Sequence, residues 1–268
     1  MKKFKMDFRF ASLLFVATLA ITAVSCSSSD DDNNGSVDPV AFAATTTNQL
    51  YRFNPTNGSS TSSIAFVGLN VGESIIGLDF RPFNGLLYAV SNQNRLLTVN
   101  TSSGQLTPVG STLAPALSGT SFGMDFNPTV DRIRIVSNTG QNMRINPDTA
   151  VLAGADTNLN PGTPSVNGAA YTNNFVGAAT TVLYVIDSQT DMLYIQVPPN
   201  NGTLVPVGPL GFDIDADNGF DIGGAGNTAF ALLKVSGVTS IYSINLSTGA
   251  ATKITDLAIQ ATAMTLGL

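Results

Sequence analysis

The tetrapeptide Gly77-Leu78-Asp79-Phe80 returns 46 residues later as Gly123-Met124-Asp125-Phe126, and again as Gly219-Phe220-Asp221-Ile222. A looser copy, Gly168-Ala169-Ala170-Tyr171, begins 45 residues after the second. Self-similarity at this period, built from short apolar runs, points to a β-propeller in which each repeat is one four-stranded blade. Residues 77–106 and 123–152 align without a gap, with Gly77, Asp79, Pro82, Ser91, Asn92 and Asn100 among the recurring positions. Each unit reads as an opening strand Gly-x-Asp-Phe, then strands equivalent to Leu86–Val90, Leu96–Val99 and Leu106–Val109. These runs are short, β-branched or aromatic, and bounded by turn residues.

An Asn-x-x-x-Gly turn joins the third and fourth strands, as Asn54–Gly58, Asn100–Gly104 and Asn245–Gly249. Asparagine bonds its own turn and glycine supplies the positive φ that ends it. The third unit has Ala150 at the glycine position, and the fourth has the longer Pro198–Gly202. The first unit lacks an opening strand, whereas the chain ends in the lone apolar run Ala263–Leu268. The two leftovers complement each other. The expected fold is all-β, a five-bladed propeller whose blades begin near Val40, Leu69, Ser118, Asn167 and Asp217. The C-terminal strand pairs into the N-terminal blade and leaves no open edge. A β-sandwich is the competing all-β arrangement.

The segment before the repeat has a different composition. Lys2, Lys3, Lys5 and Arg9 precede the 14-residue apolar run Ala11–Val24, too short for a bilayer-spanning helix of about 20 residues. It closes in Ala23-Val24-Ser25-Cys26, small residues before the single cysteine of the chain. This resembles a bacterial lipobox, with Ala23 where leucine is usual, and implies a lipoprotein signal peptide over 1–25 with Cys26 as the lipidated residue. An ordinary secreted protein with a stray thiol is the alternative. Residues 26–39 read as an acidic tether, since Ser27–Ser36 offers no apolar side chain to pack. Its serine-then-aspartate run resembles a surface-export signal. The resemblance implies an outer-membrane lipoprotein displayed at the cell surface, with the periplasmic face as the alternative. The domain proper is 40–268.

Without residues 1–25 the chain keeps eight basic and seventeen acidic residues, a net charge of −9. An acidic module without a basic run is a poor nucleic-acid ligand. The membrane is therefore met through the anchor alone, by what is expected to be a monomer. There is no histidine, hence no imidazole base and no Ser-His-Asp triad. No second cysteine is present to form a disulfide within the chain.

The run Asp125–Arg134 with Asn138-Thr139-Gly140-Gln141-Asn142, the hexapeptide Leu159–Pro164 and the stretch Ala169–Asn174 are similar to a bacterial family called domain of unknown function 4394. The resemblance spans about residues 40–268 and implies no established activity.

Three groups of residues are candidates for chemistry. Asp79, Asp125 and Asp221 fall on opening strands, which line a propeller's channel, with Ala170 and Thr265 in the equivalent places. Converging carboxylates can bind a cation or act as acid and base. Equally, an Asp kept once per blade can tie backbone N–H groups. Arg132, Arg134 and Arg144 replace Leu86, Tyr88 and Thr98 of the preceding unit. Arg132 and Arg134 share one face of a strand, and Arg144 reaches that face if register permits. A bound carboxylate, phosphate or acidic sugar would neutralise them, and so would Asp131, Asp148 or Asp156. Asn138, Gln141 and Asn142 on the adjoining turn would add polar contacts. The third group, Asp213-Ile214-Asp215-Ala216-Asp217-Asn218-Gly219, resembles the start of a calcium loop. Its glycine is one place late and Gly224 stands where a closing glutamate belongs, so a solvated acidic loop is the alternative. Calcium is the one cofactor the sequence suggests.

The functional expectation is a lipid-anchored, non-enzymatic binding or interaction module for a small molecule, glycan or protein. A carboxylate-based, glycosidase-like hydrolase using the channel acids is the competing class.

Overall fold

The computed structural model describes residues 39–216 and 219–268. Cys26, the tether up to Asp38, and Asp217 of the acidic loop lie outside the described residues.

The described chain is five antiparallel sheets arranged as a five-bladed propeller. The first blade contains β1 (Ala41–Thr45), β2 (Gln49–Phe53) and β3 (Ser60–Ala65). The second is β4 (Ile75–Phe80), β5 (Leu87–Ser91), β6 (Leu96–Val99) and β7 (Leu106–Val109). The third is β8 (Phe122–Asn127), β9 (Arg132–Ser137) and β10 (Asn142–Ile145). The fourth is β11 (Val166–Tyr171), β12 (Leu183–Asp187), β13 (Met192–Gln196) and β14 (Leu204–Pro209). The fifth is β15 (Gly219–Gly223), β16 (Thr228–Val235), β17 (Val238–Ile244) and β18 (Ala251–Asp256). Strand β19 (Ala261–Leu266) then returns to the first blade and pairs antiparallel with β1, from Ala41 opposite Leu266 to Ala44 opposite Ala263. The expected ring closure is thus present, and the inner position of the first blade is filled from the C-terminal side.

The recurring turn forms as its residues dictate. The amides of Gly58, Gly104 and Gly249 each donate to the Asn carbonyl four residues back at 2.8 Å. The Asn54, Asn100 and Asn245 side chains accept the amide two residues on at 2.8–2.9 Å. Ala150 makes the same turn, with its amide on the Asn146 carbonyl at 2.9 Å and a left-handed φ of 60°.

One expectation is corrected here. The third blade has three strands, not four: past the turn only an isolated bridge, Ile145 with Leu152, continues the ladder. The following Ala153-Gly154-Ala155-Asp156-Thr157-Asn158 has no alternating apolar side chains with which to hold a strand. The Asp156 carboxylate is instead drawn inward between two arginines.

Apolar clusters lie between neighbouring blades. Phe42 and Leu50 of the first meet Leu78, Leu87 and Leu97 of the second, and Tyr88 of the second meets Phe126 of the third edge-on at 5.2 Å. Close to the axis the inner strands approach so closely that glycine is required. A Cβ on Gly77 would stand 2.9 Å from Met124, on Gly123 2.6 Å from the Ala169 amide, and on Gly219 2.6 Å from Met264. The glycine of the repeat is therefore the residue that lets one blade touch the next.

Candidate functional site

Asp79, Asp125 and Asp221 share the strand face of those glycines, two residues further on, and so point at the next inner strand. The Phe126 amide donates to Asp79 Oδ2 at 2.7 Å, the Tyr171 amide to Asp125 Oδ1 at 3.1 Å, and the Leu266 amide to Asp221 Oδ2 at 2.6 Å. Asp221 Oδ1 also accepts its neighbour's amide, that of Ile222, at 2.6 Å. On the closing strand, the Thr265 hydroxyl stands 3.0 Å from Asp79 Oδ1 and 3.1 Å from Asp221 Oδ2. Asp and Thr thus link each inner strand to the next, except from β11, where the equivalent place is held by Ala170.

The three carboxylates lie within 4.8 Å of one another and all are buried. Burial, followed by the charge of Asp221, holds Asp79 well above the usual carboxyl range. Burial, then the charges of Asp79 and Asp221, does the same for Asp125, and burial raises Asp221. With carboxylate oxygens of all three acids this close and buried, a proton on one relieves the charge of its neighbours. The Thr265 hydroxyl supplies one hydrogen and faces two acids, so a protonated carboxyl completes this contact too. Repulsion among the acids is therefore relieved by protons held inside the fold.

The Gly-lined end of the channel leaves a void of about 10 Å³, the size of about one water. Above it the Ala216 carbonyl accepts from Asn167 Nδ2 at 2.9 Å and from the Ser121 hydroxyl. The segment that enters the fifth blade is thereby fastened to the third and fourth.

The arginines of the third blade separate. Arg134 and Arg144 sit opposite each other on β9 and β10 and converge on Asp156. Arg134 Nη1 donates to Asp156 Oδ2 at 2.5 Å, and Arg144 grips the same carboxylate through Nε and Nη2 at 2.7–3.0 Å. Arg134 is 1% exposed and also donates to Asn142 Oδ1 and Asn200 Oδ1, both at 2.8 Å. Arg132 does not join them: its guanidinium turns to the Asp131 carbonyl at 2.7 Å.

Of the three counter-charges offered by the sequence, only Asp156 serves these arginines. Asp131 and Asp148 both pair with Arg81 of the second blade, a buried residue that sequence reasoning missed. A lone base directly after Gly-x-Asp-Phe was its only signal. The turn residues are also committed. Asn138 Oδ1 accepts the Thr120 and Ser121 amides, repeating the hold of Asn92 on the Ser74 amide. Gln141 bonds the Ser118 amide and the Ala116 carbonyl, and Asn142 bonds the Thr157 and Pro199 carbonyls. In the acidic loop, Asp215 Oδ2 accepts the Gly237 amide at 2.9 Å and Asp213 is exposed.

Open concave volume lies away from these groups. A groove of about 480 Å³ runs between the connection into the fourth blade and that blade's outer strands, lined by Pro161, Pro164, Asp187, Gln189, Tyr194 and Pro206.

The family model of a domain of unknown function (DUF4394) matches residues 42–267. The chain belongs to this family. The DUF4394 match takes in all five blades, and no curated protein matches the sequence. Among solved structures, the chain is similar to a structural genomics protein of unknown function from Bacteroides thetaiotaomicron VPI-5482. The identity is 14% and the TM-score 0.54, over 82% of this chain and 58% of that one. A putative 6-phosphogluconolactonase from Bacteroides uniformis ATCC 8492 aligns at 15% identity and TM-score 0.46, over 85% of this chain and 99% of that one. An auxiliary nutrient binding protein from Bacteroides ovatus ATCC 8483 aligns at 14% identity and TM-score 0.42, over 62% and 46% of the two chains. The chain thus spans about half the length of two of these structures. At 14% identity the DUF4394 propeller shares a fold with the protein from Bacteroides thetaiotaomicron and nothing more specific.

Proposed function

We propose that this propeller is a non-enzymatic binding module, held at a membrane by a lipid on Cys26. One observation carries the reading: Asp79, Asp125 and Asp221 are committed to the backbone of the adjacent blade. A glycosidase needs two carboxyl groups facing substrate, about 5–5.5 Å apart in retaining enzymes. The axial acids approach that spacing, and it is their burial that argues against the hydrolase. Ligand binding is assigned instead to the groove at Tyr194. An aromatic ring, three prolines and a few polar groups there form the mixed lining that small-ligand sites use. A soluble glycan or peptide segment is the class of ligand that suits it.

The test is a thermal-shift panel of oligosaccharides and short peptides, since a ligand of the native state raises its stability. A hit should be lost in Tyr194→Ala and kept in Asp79→Asn. Turnover of a chromogenic glycoside that disappears in Asp79→Asn or Asp221→Asn overturns the reading in favour of the hydrolase. The anchor is checked apart from this: Cys26→Ser should move the protein from the detergent to the aqueous phase, and unchanged partitioning removes the lipid from the proposal.

A further inference from the structure

The loops that join the first and second strands of each blade all lie at one end of the propeller. The turns that join the third and fourth strands lie there too, so among the described residues nine of the thirteen exposed large apolar side chains belong to that end, six of them on the loops between first and second strands. Phe83 and Leu86 are in the second blade, Val130 in the third, and Phe175, Val176 and Val182 in the fourth. Phe83 is 70% exposed and Val176 66%. Soluble surfaces scatter such residues singly, and their concentration on one end marks a surface that meets something.

The loop of the fourth blade is built to present them. Eleven residues, 172–182, separate β11 from β12. Thr172 ties the loop base through its hydroxyl to the Val182 amide at 2.8 Å and through its carbonyl to the Thr181 hydroxyl at 2.6 Å. Asn173 exchanges hydrogen bonds with Asn227 of the fifth blade at 2.7 and 3.1 Å. Phe175 and Val176 therefore stand at the tip of a loop fixed at its base. The loop contains no charged residue. Of the charges at this end, Arg81 is buried and paired with Asp131 and with the more exposed Asp148, and the half-buried Arg132 turns its guanidinium to the Asp131 carbonyl. The opposite end is acidic, with Asp187, Asp191, Asp213 and Asp215 on its turns and connections.

The entry of the chain decides what this end meets. Val40 leads into β1 beside Gly267, whose amide donates to the Val40 carbonyl at 2.7 Å. This is the end where the inner strands finish, and so the end that carries the apolar loops. Thirteen residue steps separate Cys26 from Pro39, which is at most about 45 Å of extended chain. We propose that this apolar end docks on the bilayer surface, with Phe83, Val130, Phe175 and Val176 entering the interfacial region and the acidic end turned away. Apolar side chains at loop tips gain by such burial. The inference rests on the anchored reading above. It adds an orientation and a second membrane contact, and it leaves the Tyr194 groove facing the aqueous side.

The protein contains no tryptophan, so one introduced tryptophan is a unique probe. Phe83→Trp reports on the apolar end, and Val71→Trp reports on the opposite end, where Val71 is 100% exposed. Residues 38–268 form a compact unit with a closed ring of their own. Residues 1–26 can therefore be replaced by a hexahistidine segment that holds the chain on nickel-chelating lipid in phosphatidylcholine vesicles with brominated acyl chains. This attachment makes the result independent of whether Cys26 is lipidated. The indole of the Phe83→Trp variant should move to shorter emission wavelength and be quenched several-fold more than the indole of the Val71→Trp variant. In the Phe83→Trp background, adding Phe175→Ser and Val176→Ser should weaken that quenching while leaving the melting temperature in place. Equal quenching at the two ends would overturn the proposal. So would self-association in solution that these two serine changes abolish, since the apolar end would then be covered by a second copy.

Discussion

The axial acids and the arginine pair beside the fourth blade are both buried charge, and the fold neutralises them by opposite means. At the axis Asp79, Asp125 and Asp221 have no base among them, and their mutual repulsion is relieved by retained protons. Between the blades Arg134 and Arg144 share the Asp156 carboxylate, and the side chains of Asn142, Asn200 and Tyr171 take further Arg134 donors. One cluster is relieved by protons and the other by opposite charge. The same chemical change, carboxylate to amide, should therefore have opposite consequences at the two places.

The largest effect is expected at Asp156→Asn. It leaves Arg134 charged and buried with no counter-ion, and breaking a buried pair from one side costs about 3–5 kcal/mol. Urea or thermal unfolding measures this directly. A loss below about 1 kcal/mol would mean that Arg134 finds water or another partner, and that the cluster is looser than its hydrogen bonds indicate.

Asp125→Asn should run the other way. An amide can accept the Tyr171 N–H through its oxygen and donate to Asp221 through its nitrogen, reproducing the protonated acid without requiring a proton. Linkage sets the sign. Native pKa values raised above the unfolded carboxyl value mean that the native state holds protons the unfolded state has released. Stability is then fully present below that unfolded value, and is lost as pH rises through the window up to the raised native value. Glu73 and Asp148 act in the opposite sense. Burial raises Glu73, but the bonds it accepts from the Asn70 amide and Arg95, with the nearby Ser91 hydroxyl, outweigh this, and Arg81 lowers Asp148. Their contribution is present above the unfolded carboxyl value and is lost as pH falls through their lowered native values. Melting temperature should accordingly rise as pH is taken from roughly 8 to 5 and fall at stronger acid. In Asp125→Asn the first of these slopes should flatten, with the variant at least as stable as the parent at the alkaline end. An unchanged slope would show that the axial acids are ionised.

Thr265→Val sharpens the axial half of the comparison at a smaller scale. It keeps the shape of the closing strand but removes the hydroxyl between Asp79 and Asp221. Loss of a buried hydrogen bond of this kind costs about 1–3 kcal/mol, and the effect should be greater at high pH, where the acids have fewer protons to share.

How far each cluster could be read from the sequence follows from the same physics. The repeat exposed everything that recurs: the glycines of the collar, the Asn-x-x-x-Gly turns, the count of five blades, and the pairing of β19 with β1. The axial acids were visible because they occupy the same place in three blades, and their bond to the next strand was one of the two readings open to them. The partners of the arginines were not visible. Asp156 lies where the repeat has broken down and the fourth strand of the blade is missing. Asp131 and Asp148 are nearer in sequence to these arginines than Asp156 is, yet they pair with Arg81 because they face the preceding blade. Periodicity locates what is repeated, whereas an ion pair across a blade boundary depends on side-chain direction, which alignment does not contain.

Ala150→Gly provides the uncharged control, and the smallest change. The third blade departs from the second here as well, with alanine at φ 60° where Gly104 has 71°. Relief of the left-handed strain is worth about 1–2 kcal/mol. Against it stand the burial of one methyl, about 0.8 kcal/mol, and the greater freedom of glycine in the unfolded chain, about 0.4–1 kcal/mol. Ala150 is buried against Met143 and Ile145, so the methyl term applies nearly in full. The terms almost cancel, which accounts for an alanine where the other turns of this form have glycine, and the variant should unfold within about 1 kcal/mol of the parent. A loss above about 2 kcal/mol would mean that this turn positions Arg144, and that departures from the repeat in the third blade are coupled rather than independent.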